Sequence, residues 1–181
     1  MARPTKLVLD TPERGDVADL VALARASRRL HRPWVYLPES ASGWRPYLER
    51  CRRGSVLGHL LRRADTRELV GVVNISEVVR GRFQSGYLGF YVHAAHAGQG
   101  LMRLGLAEVV TLAFRVYRLH RLEANIQPGN ERSRRLVERL GFRCEGLSPR
   151  YLKIGGRWRD HERWAITTEA WRAGRRRTTR G

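Results

Sequence analysis

The stretch from Tyr87 to Tyr117 decides the fold, because a strand, a glycine turn and a helix follow one another there. Residues 87–93 read Tyr-Leu-Gly-Phe-Tyr-Val-His, and this aromatic and β-branched composition favours a strand. Residues 97–102 read Ala-Gly-Gln-Gly-Leu-Met, and apolar residues then recur at helical spacing as far as Tyr117. The free N–H groups at the start of a helix bind a phosphate if the nearby side chains are small. The turn therefore predicts either a pyrophosphate-binding loop or a plain glycine cap.

Two common nucleotide-binding loops do not fit this turn. A P-loop has Lys followed by Ser or Thr after its last glycine, whereas Leu101 and Met102 follow Gly100 here. A Rossmann loop has a third glycine three residues after the second, and position 103 is Arg. A shorter phosphate-binding turn is the remaining nucleotide-binding interpretation.

On both sides of the turn, patterns typical of strands and helices alternate along the chain. We predict strands at residues 6–10, 55–63, 68–78, 87–93, 121–126, 142–145, 150–154 and 157–167. We predict helices at residues 16–28, 42–53, 101–117 and 130–140, with Asp16 as the N-cap of the first. This order predicts an α/β (α+β) fold with helices on both faces of a mixed sheet.

The composition indicates one globular domain with a strongly basic surface. We assign residues 1–172 to that domain and residues 173–181 to a flexible basic tail, since the chain has only 181 residues. The net charge of +18 favours polyanions such as RNA as partners, although the basic residues could equally be ordinary solvated surface. The sequence shows neither a membrane-length apolar run nor a signal peptide, so we expect a cytoplasmic protein with no membrane partner.

Cysteine and histidine spacing predicts no metal site. Cys51 and Cys144 are the only cysteines, and they lack the close spacing of zinc ligands. The six histidines never repeat four residues apart on a helix. We therefore expect two unpaired thiols and no bound metal.

Three motifs resemble those of the GCN5-related N-acetyltransferases, abbreviated GNAT. Residues 97–102 resemble the family's phosphate-binding motif, with Gly100 as its central glycine, although Ala97 and Met102 depart from the usual residues. Asn130-Glu131-Arg132-Ser133 resembles the family's Asn-x-x-Ser at the next helix, and Leu140–Gly146 resembles its Leu-Gly-Phe-x-x-Glu-Gly strand entry. The resemblance implies the fold of that family: a mostly antiparallel sheet in which one parallel strand pair splays apart.

Further stretches resemble one branch of that family, the RimJ/RimL-type ribosomal-protein alanine N-acetyltransferases. They are Tyr151-Leu152, residues 156–161 and Trp171. Residues 71–74, 78–81 and 87–89 resemble the RimJ members of that branch in particular. The resemblance covers residues 6–171 and implies transfer of an acetyl group from acetyl-CoA to the N-terminal alanine of a ribosomal protein similar to S5.

The resemblance also implies where acetyl-CoA binds, namely between the strand at residues 87–93 and the strand at residues 121–126. Backbone groups of the first strand would contact its acetyl end, the glycine turn would hold its pyrophosphate, and Asn130 would contact its pantetheine arm. The backbone groups in question belong to Tyr91, Val92, His93, Gly98, Gln99, Gly100, Leu101 and Met102.

Three residues are candidates for the proton transfers. Many family members have a tyrosine seven residues after the motif Asn, but this chain has Val137 there. Ser133 is therefore our candidate for the contact to the leaving sulfur, with helix capping as its alternative role. Glu77 and Glu123 are candidates for the base that takes the proton of the attacking amine, although Glu123 could instead pair with a basic neighbour.

The expected partners are the N-terminus of a ribosomal protein and the small ribosomal subunit or its rRNA, with the enzyme a monomer or a homodimer. Two other functions stay open at this point. The same fold could acetylate a small amine, or the chain could be a ribosome- or RNA-binding assembly factor with little catalysis.

Overall fold

The computed structural model describes the backbone of residues 6–178 and the side chains as far as Arg175. The strands are β1 (Leu7–Asp10), β2 (Val56–Arg63), β3 (Leu69–Val79), β4 (Ser85–Val92), β5 (Arg121–Ile126), β6 (Arg143–Ile154) and β7 (Arg157–Thr167). The α-helices are α1 (Val17–Ala26), α2 (Arg28–His31), α3 (Ala41–Arg52), α4 (Leu101–Arg115), α5 (Glu131–Arg139) and α6 (Thr168–Thr178). Two short 3₁₀ turns span Arg14–Asp16 and Ala94–His96.

The described strands form one sheet in the order β1-β2-β3-β4-β5-β7-β6. The β1–β2, β2–β3, β5–β7 and β6–β7 pairings are antiparallel. The β4–β5 pairing is parallel, and its register joins Ser85–Tyr87 to Arg121–Glu123. The predicted fold class, a mixed and mostly antiparallel sheet with one parallel pair, is thus confirmed.

The chain divides into two compact units, of which the first comprises the described residues up to Ser76 together with Gly89–Val109. Its core brings Leu20, Leu23 and Trp44 from α1 and α3 together with Leu60 of β2. The next residue of β2, Leu61, lies against Gly105 of α4, where an added Cβ would come within 2.3 Å of Cδ1. Because successive side chains of a strand point to opposite faces, α4 lies on the other face of β2 from α1 and α3.

The predicted N-cap Asp16 precedes α1, but its side chain makes no capping hydrogen bond. One carboxylate oxygen, Oδ1, accepts from Nη2 of Arg62 at 2.7 Å, and the other accepts from the Glu13 N–H at 2.8 Å. Arg62 is buried and also pairs with Asp19 at 2.7 Å. A buried guanidinium needs carboxylate partners. The Asp16 carboxylate therefore binds Arg62 instead of capping α1.

The second unit comprises Glu77–Leu88 and the residues from Val110 onwards. Its core is formed by fully or nearly fully buried apolar side chains of β5, α5 and β7. They are Leu122, Ala124, Ile126, Val137, Trp164, Ala165 and Ile166. The apolar residues of β5 alternate with half-buried polar ones, which is the pattern of a strand with one face in the core.

Two predicted features of the second unit differ from the structure. The strands predicted at 142–145 and 150–154 are one strand, β6, which has register shifts between Cys144 and Leu147 and between Ser148 and Leu152. Gly146 and Arg150, with φ values of +142° and +50°, lie at these two shifts. The extra residues form bulges there, and the strand continues beyond them. Val116, predicted on the apolar stripe of α4, lies beyond the end of that helix and is exposed.

The last helix, α6, was not predicted, and it includes part of the segment we assigned to a tail. Trp171 Nε1 donates to Thr111 Oγ1 at 3.3 Å, and Arg175 Nη1 donates to the same oxygen at 3.0 Å. Residues 179–181 lie outside the described residues, as do residues 1–5. The boundary between domain and tail at residue 172 stays a prediction.

Candidate active site

The glycine turn presents a row of backbone donors at the start of α4. Gly98 and Gly100 have φ values of +78° and +76°, a left-handed conformation that glycine adopts without strain. The Gly100 carbonyl accepts from the N–H groups of Arg103 and Leu104 and so begins the helix. Within the described part of the chain, no acceptor takes the five N–H groups from Gly98 to Met102. An exposed helix start with free N–H groups has the donors and the partial positive charge that a pyrophosphate requires.

Gly71 and Met102 fix the position of that helix start in the first unit. A Cβ on Gly71 of β3 would lie 2.7 Å from the Tyr91 carbonyl oxygen and 3.2 Å from Met102 Sδ. The Met102 side chain therefore packs onto the strand glycine and points away from the turn. This packing explains how a large residue can occupy a position that is usually small in the motif.

The end of β4 offers fewer backbone groups than the sequence predicts. The His93 N–H donates to the Val70 carbonyl at 2.8 Å, so that donor is already used. Successive N–H groups of a strand point to opposite edges, and the Val92 N–H therefore faces away from β3. The Tyr91 side chain is buried and lies edge-on to His31, so only its backbone can face a ligand.

Sequence reasoning missed two buried residues that contact this strand end. His31 Nε2 lies 2.9 Å from the Val92 carbonyl oxygen, and the Ala94 N–H donates to Ser27 Oγ at 2.8 Å. Burial lowers the pKa of His31 below its ordinary value, because desolvation outweighs the bond to Val92. Nothing local in the sequence indicates these contacts, since the partners are 61 and 67 residues apart.

In the second unit, Asn130 and Ser133 begin α5. Asn130 is the N-cap, and its Oδ1 accepts from the Ser133 backbone N–H at 3.3 Å. The capping role considered for this pair is therefore present, and it involves the Ser133 backbone and not its hydroxyl. Val137 of the same helix is fully buried and belongs to the core. The position of the family's tyrosine is thus structural in this chain.

The two candidate bases have different surroundings. Glu123 of β5 accepts from Arg121 Nε at 2.9 Å, and Arg121 also binds Glu145, so Glu123 does face a basic neighbour. The pairing with Glu145, and then that with Glu123, raises the pKa of Arg121. Glu77 of β3 is exposed and has a φ of +48°, which is uncommon for a residue with a side chain.

Two further polar groups near β7 serve the second unit itself. His161 is buried and its Nδ1 lies 2.9 Å from the Arg159 carbonyl, whereas Asp160 accepts from the Arg150 N–H at 2.8 Å. These residues therefore bind the backbone of their own hairpin.

Tyr87 of β4 has a raised pKa. Its hydrogen bond with Tyr151 is the larger cause and its burial the smaller, and together they raise the pKa to about 12. Tyr87 is consequently a neutral phenol at physiological pH.

The described residues form neither a cluster of metal ligands nor a membrane-spanning helix. No group of three or more His, Cys, Asp or Glu side chains is placed to hold a metal ion. No helix between residues 6 and 178 is long and apolar enough to cross a membrane.

Comparison with known proteins identifies the class of protein. The Acetyltransferase (GNAT) domain family matches residues 6–143. The chain therefore belongs to the GNAT acetyltransferase family. It is an N-acetyltransferase, and acetyl-CoA is its co-substrate.

Particular relatives place it within that family. The [ribosomal protein uS5]-alanine N-acetyltransferase of Escherichia coli is 38% identical over 157 residues, which cover 82% of this chain and 81% of the relative. The structure of Mycobacterium smegmatis RimJ in complex with CoA-disulfide superposes with a TM-score of 0.82 and 29% identity, covering 90% of this chain and 82% of the other. The predicted resemblance to the RimJ type is thus confirmed.

A third neighbour shares the fold at lower identity. The Vibrio cholerae spermidine N-acetyltransferase in complex with CoA and spermine has a TM-score of 0.78 and 21% identity, covering 91% of this chain and 97% of the other. At this identity the likeness concerns the fold alone.

Proposed function

We propose that this enzyme acetylates the N-terminal α-amine of a ribosomal protein similar to S5, with alanine as the first residue. The observation that carries this proposal is the 38% identity to the uS5-alanine enzyme over four-fifths of both chains. A match of that length includes the glycine turn, the strand before it and the Asn130–Ser133 motif. The identity of the acceptor is what we propose here; acetyl-CoA as the acetyl donor follows from membership of the family.

For the acetyl donor, the first unit supplies two sets of contacts in this proposal. The N–H groups of Gly98, Gln99, Gly100, Leu101 and Met102 bind the pyrophosphate, because no described acceptor takes them and they lie at the start of a helix, beside the exposed residues 98–100. The Val92 N–H donates to the acetyl carbonyl oxygen, because it faces the edge of β4 that β3 leaves open. A donor at this oxygen stabilises the negative charge that develops as the amine attacks.

The transfer itself is direct from thioester to amine. An α-amino group has a pKa near 8, so about a tenth of it is already neutral at physiological pH. Glu77 and Glu123 stay our candidates for the base that accepts its remaining proton, and Ser133 stays our candidate for the contact to the departing sulfur. In the same proposal Asn130 caps α5 and also contacts the pantetheine arm, with its NH₂ group still available for that contact.

The proposal is tested with peptides and small amines offered to the same enzyme. We expect rapid acetylation of a peptide that carries the N-terminus of ribosomal protein S5, and a kcat/KM for spermidine at least about a hundredfold lower. The same peptide with a blocked N-terminus is the control, since its lysines remain available. Preferential acetylation of spermidine would replace this proposal with the small-amine function of the V. cholerae neighbour.

A second function, contact with RNA, has one specific observation in its favour. Trp158 is 62% exposed near the end of the β6–β7 hairpin, and four basic side chains surround it in sequence. They are Arg150, Lys153, Arg157 and Arg159, and none of them forms an ion pair with a described residue. Exposed aromatic rings among cations are typical of surfaces that stack on single-stranded bases. We propose that this hairpin contacts rRNA of the small subunit in the cytoplasm while the enzyme acts as a monomer or homodimer.

RNA binding is tested with a labelled single-stranded oligonucleotide and fluorescence anisotropy. Trp158→Ala should weaken binding about five- to a hundredfold, the range measured for the loss of one stacked base. Arg52→Gln with Arg53→Gln is the matched control, because those arginines already pair with Glu49. Trp158→Ala leaves the charge unchanged, so a loss no larger than that of the control would show that the ring does not stack on a base.

A further inference from the structure

Ser27 and His31 are two buried polar residues at the junction of α1 and α2 that the proposed chemistry does not yet use. Ser27 is fully buried, and His31 is 7% exposed. They lie one helical turn apart, with the His31 N–H bonded to the Ser27 carbonyl at 3.0 Å. Buried polar groups of this kind need a partner, and both partners are backbone groups at the end of β4, the Val92 carbonyl and the Ala94 N–H.

The two residues fix consecutive peptide groups at the end of β4. In the peptide group between Val92 and His93, the carbonyl is bonded to His31 at 2.9 Å and the N–H to the Val70 carbonyl at 2.8 Å. In the next peptide group, the His93 carbonyl accepts from the His96 N–H at 2.9 Å, and the Ala94 N–H donates to Ser27 at 2.8 Å. Both groups are therefore held at both ends, which removes their freedom to rotate.

The bond to Val92 also determines the form of the imidazole. A carbonyl oxygen only accepts, so the His31 Nε2 must carry the hydrogen. Nδ1 is buried and has no hydrogen-bond partner among the described residues, so a hydrogen there would be an unsatisfied donor. His31 consequently acts as a neutral donor with one fixed tautomer.

We infer that Ser27 and His31 are positioning residues for acetyl transfer, which hold the Val92 N–H in the direction of the acetyl carbonyl oxygen. The inference rests on the proposed role of that N–H. The Val92 N–H belongs to the preceding peptide group and shares the Val92 Cα with the group that His31 holds. His31 therefore acts through the Val92 carbonyl, and Ser27 acts one peptide group further on, through the Ala94 N–H. Neither side chain touches the reacting atoms. Their contribution is the rigidity of the donor, and a donor misplaced by about 1 Å costs up to a hundredfold in rate.

The test compares binding of acetyl-CoA and of CoA by calorimetry, because only the first has the carbonyl in question. In His31→Leu we expect acetyl-CoA to bind about two- to tenfold more weakly, the equivalent of one hydrogen bond, with the affinity for CoA unchanged. Turnover with the alanine peptide should fall about ten- to a hundredfold in kcat, because the bond matters most as charge develops. His31→Gln keeps an N–H donor and should restore most of both losses. Ser27→Ala should cause losses of the same kind.

Tyr47→Phe is the matched control. It removes a buried hydrogen bond of the same unit, from Tyr47 to Asn74 at 2.8 Å, and leaves in place the bonds of the Val92 carbonyl and the Ala94 N–H. It should lower the thermal unfolding midpoint without changing the ratio of acetyl-CoA to CoA affinity.

The outcomes separate this inference from the proposed function. An unchanged affinity ratio and kcat in both His31→Leu and Ser27→Ala would overturn the inference, whatever the acceptor is. Failure to acetylate the peptide would instead overturn the proposed acceptor, and the binding ratio would still decide the inference. If His31→Leu does not fold, Ser27→Ala decides by the same measurements.

Discussion

At the scale of single residues, the role of the Ser133 hydroxyl can be tested without disturbing α5, the helix in whose first turn Ser133 lies. The N-cap bond of α5 uses the Ser133 backbone N–H, so Ser133→Ala leaves the cap in place. We expect kcat to fall about tenfold, with the affinity for acetyl-CoA and the unfolding midpoint unchanged, because the hydroxyl is needed only when the thiolate leaves. Steady-state kinetics and calorimetry measure both quantities. An unchanged kcat would remove Ser133 from the mechanism.

Substitutions can show which of the two candidate bases, Glu77 or Glu123, accepts the proton of the amine. Arg121 already neutralises Glu123, whereas Glu77 is exposed and shows no ion pair with a described residue. We therefore expect Glu77→Gln to lower kcat/KM about a hundredfold or more at neutral pH, as removal of a general base does. Glu123→Gln should cause a much smaller loss, because it removes only a carboxylate that already pairs with Arg121. A pH–rate profile of each variant measures this, and a larger loss in Glu123→Gln than in Glu77→Gln would reverse the assignment.

Residues whose role depends on their neighbours in the chain could be predicted from the sequence. Asn130 stands before a helical pattern, and the glycines of the turn stand before another, so capping and turn geometry follow from local rules. Ser27 and His31 could not be predicted, because their hydrogen bonds join positions more than 60 residues apart. His93 shows the same limit: its backbone was a predicted contact, but the donor is used by the distant Val70.

At the scale of elements, the packing of α4 on the sheet depends on glycines at two contact points. Gly71→Ala would push a methyl group into the β4 backbone at Tyr91, which cannot yield easily. We expect a loss of about 1–3 kcal/mol in the free energy of unfolding, the usual cost of overpacking. Gly105→Ala should cost less, because its methyl group meets the Leu61 side chain and not a backbone atom, and because alanine favours a helix by about 1 kcal/mol.

Gly89→Ala is the control for both glycines. An added Cβ at Gly89 meets no atom within 4 Å, and the residue lies in the same strand as Tyr91. Urea unfolding of the three variants gives the comparison. A Gly71→Ala protein as stable as the Gly89→Ala protein would show that β4 does not approach β3 as closely as described.

The elements themselves could be predicted better than their ends. Strong periodicity identified α1, α3, α4, α5 and the strands around them, and the structure has each within a few residues of the predicted range. The strands predicted at 142–145 and 150–154 are a single strand, since bulges around Gly146 and Pro149 let β6 continue. The α6 helix was missed because its arginine-rich sequence lacks an apolar stripe, and its contact to Thr111 is a distant one.

At the scale of the whole molecule, two buried histidines and one half-buried histidine make the stability depend on pH near neutrality. Burial lowers the pKa values of His31, His59 and His93. Below pH 6.5 the unfolded chain takes up protons that these residues resist in the folded state, so the free energy of unfolding decreases as the pH falls from 7.5 to 5.5. Each histidine contributes a slope of at most about 1.4 kcal/mol per pH unit.

Urea unfolding at pH 7.5 and 5.5 measures this dependence. His31→Gln should reduce the difference between the two pH values, because it removes one of the three histidines. The carboxylates with lowered pKa values, such as Glu145, lose their contribution only below about pH 4.5 and do not interfere. His120→Gln, at an exposed position, is the control. Equal pH dependence in the wild type and His31→Gln would contradict the role of burial.

The Gln99 side chain has a consequence for the thermodynamics of ligand binding. Its Nε2 donates to the Ala95 carbonyl at 2.8 Å, which ties the middle of the glycine turn to the short 3₁₀ segment before it. A loop that is already in its bound shape loses little conformational entropy when a ligand arrives. Association should therefore be fast and its unfavourable entropy small, and a chain with Ala in place of Gln99 would have to order the same loop at each encounter.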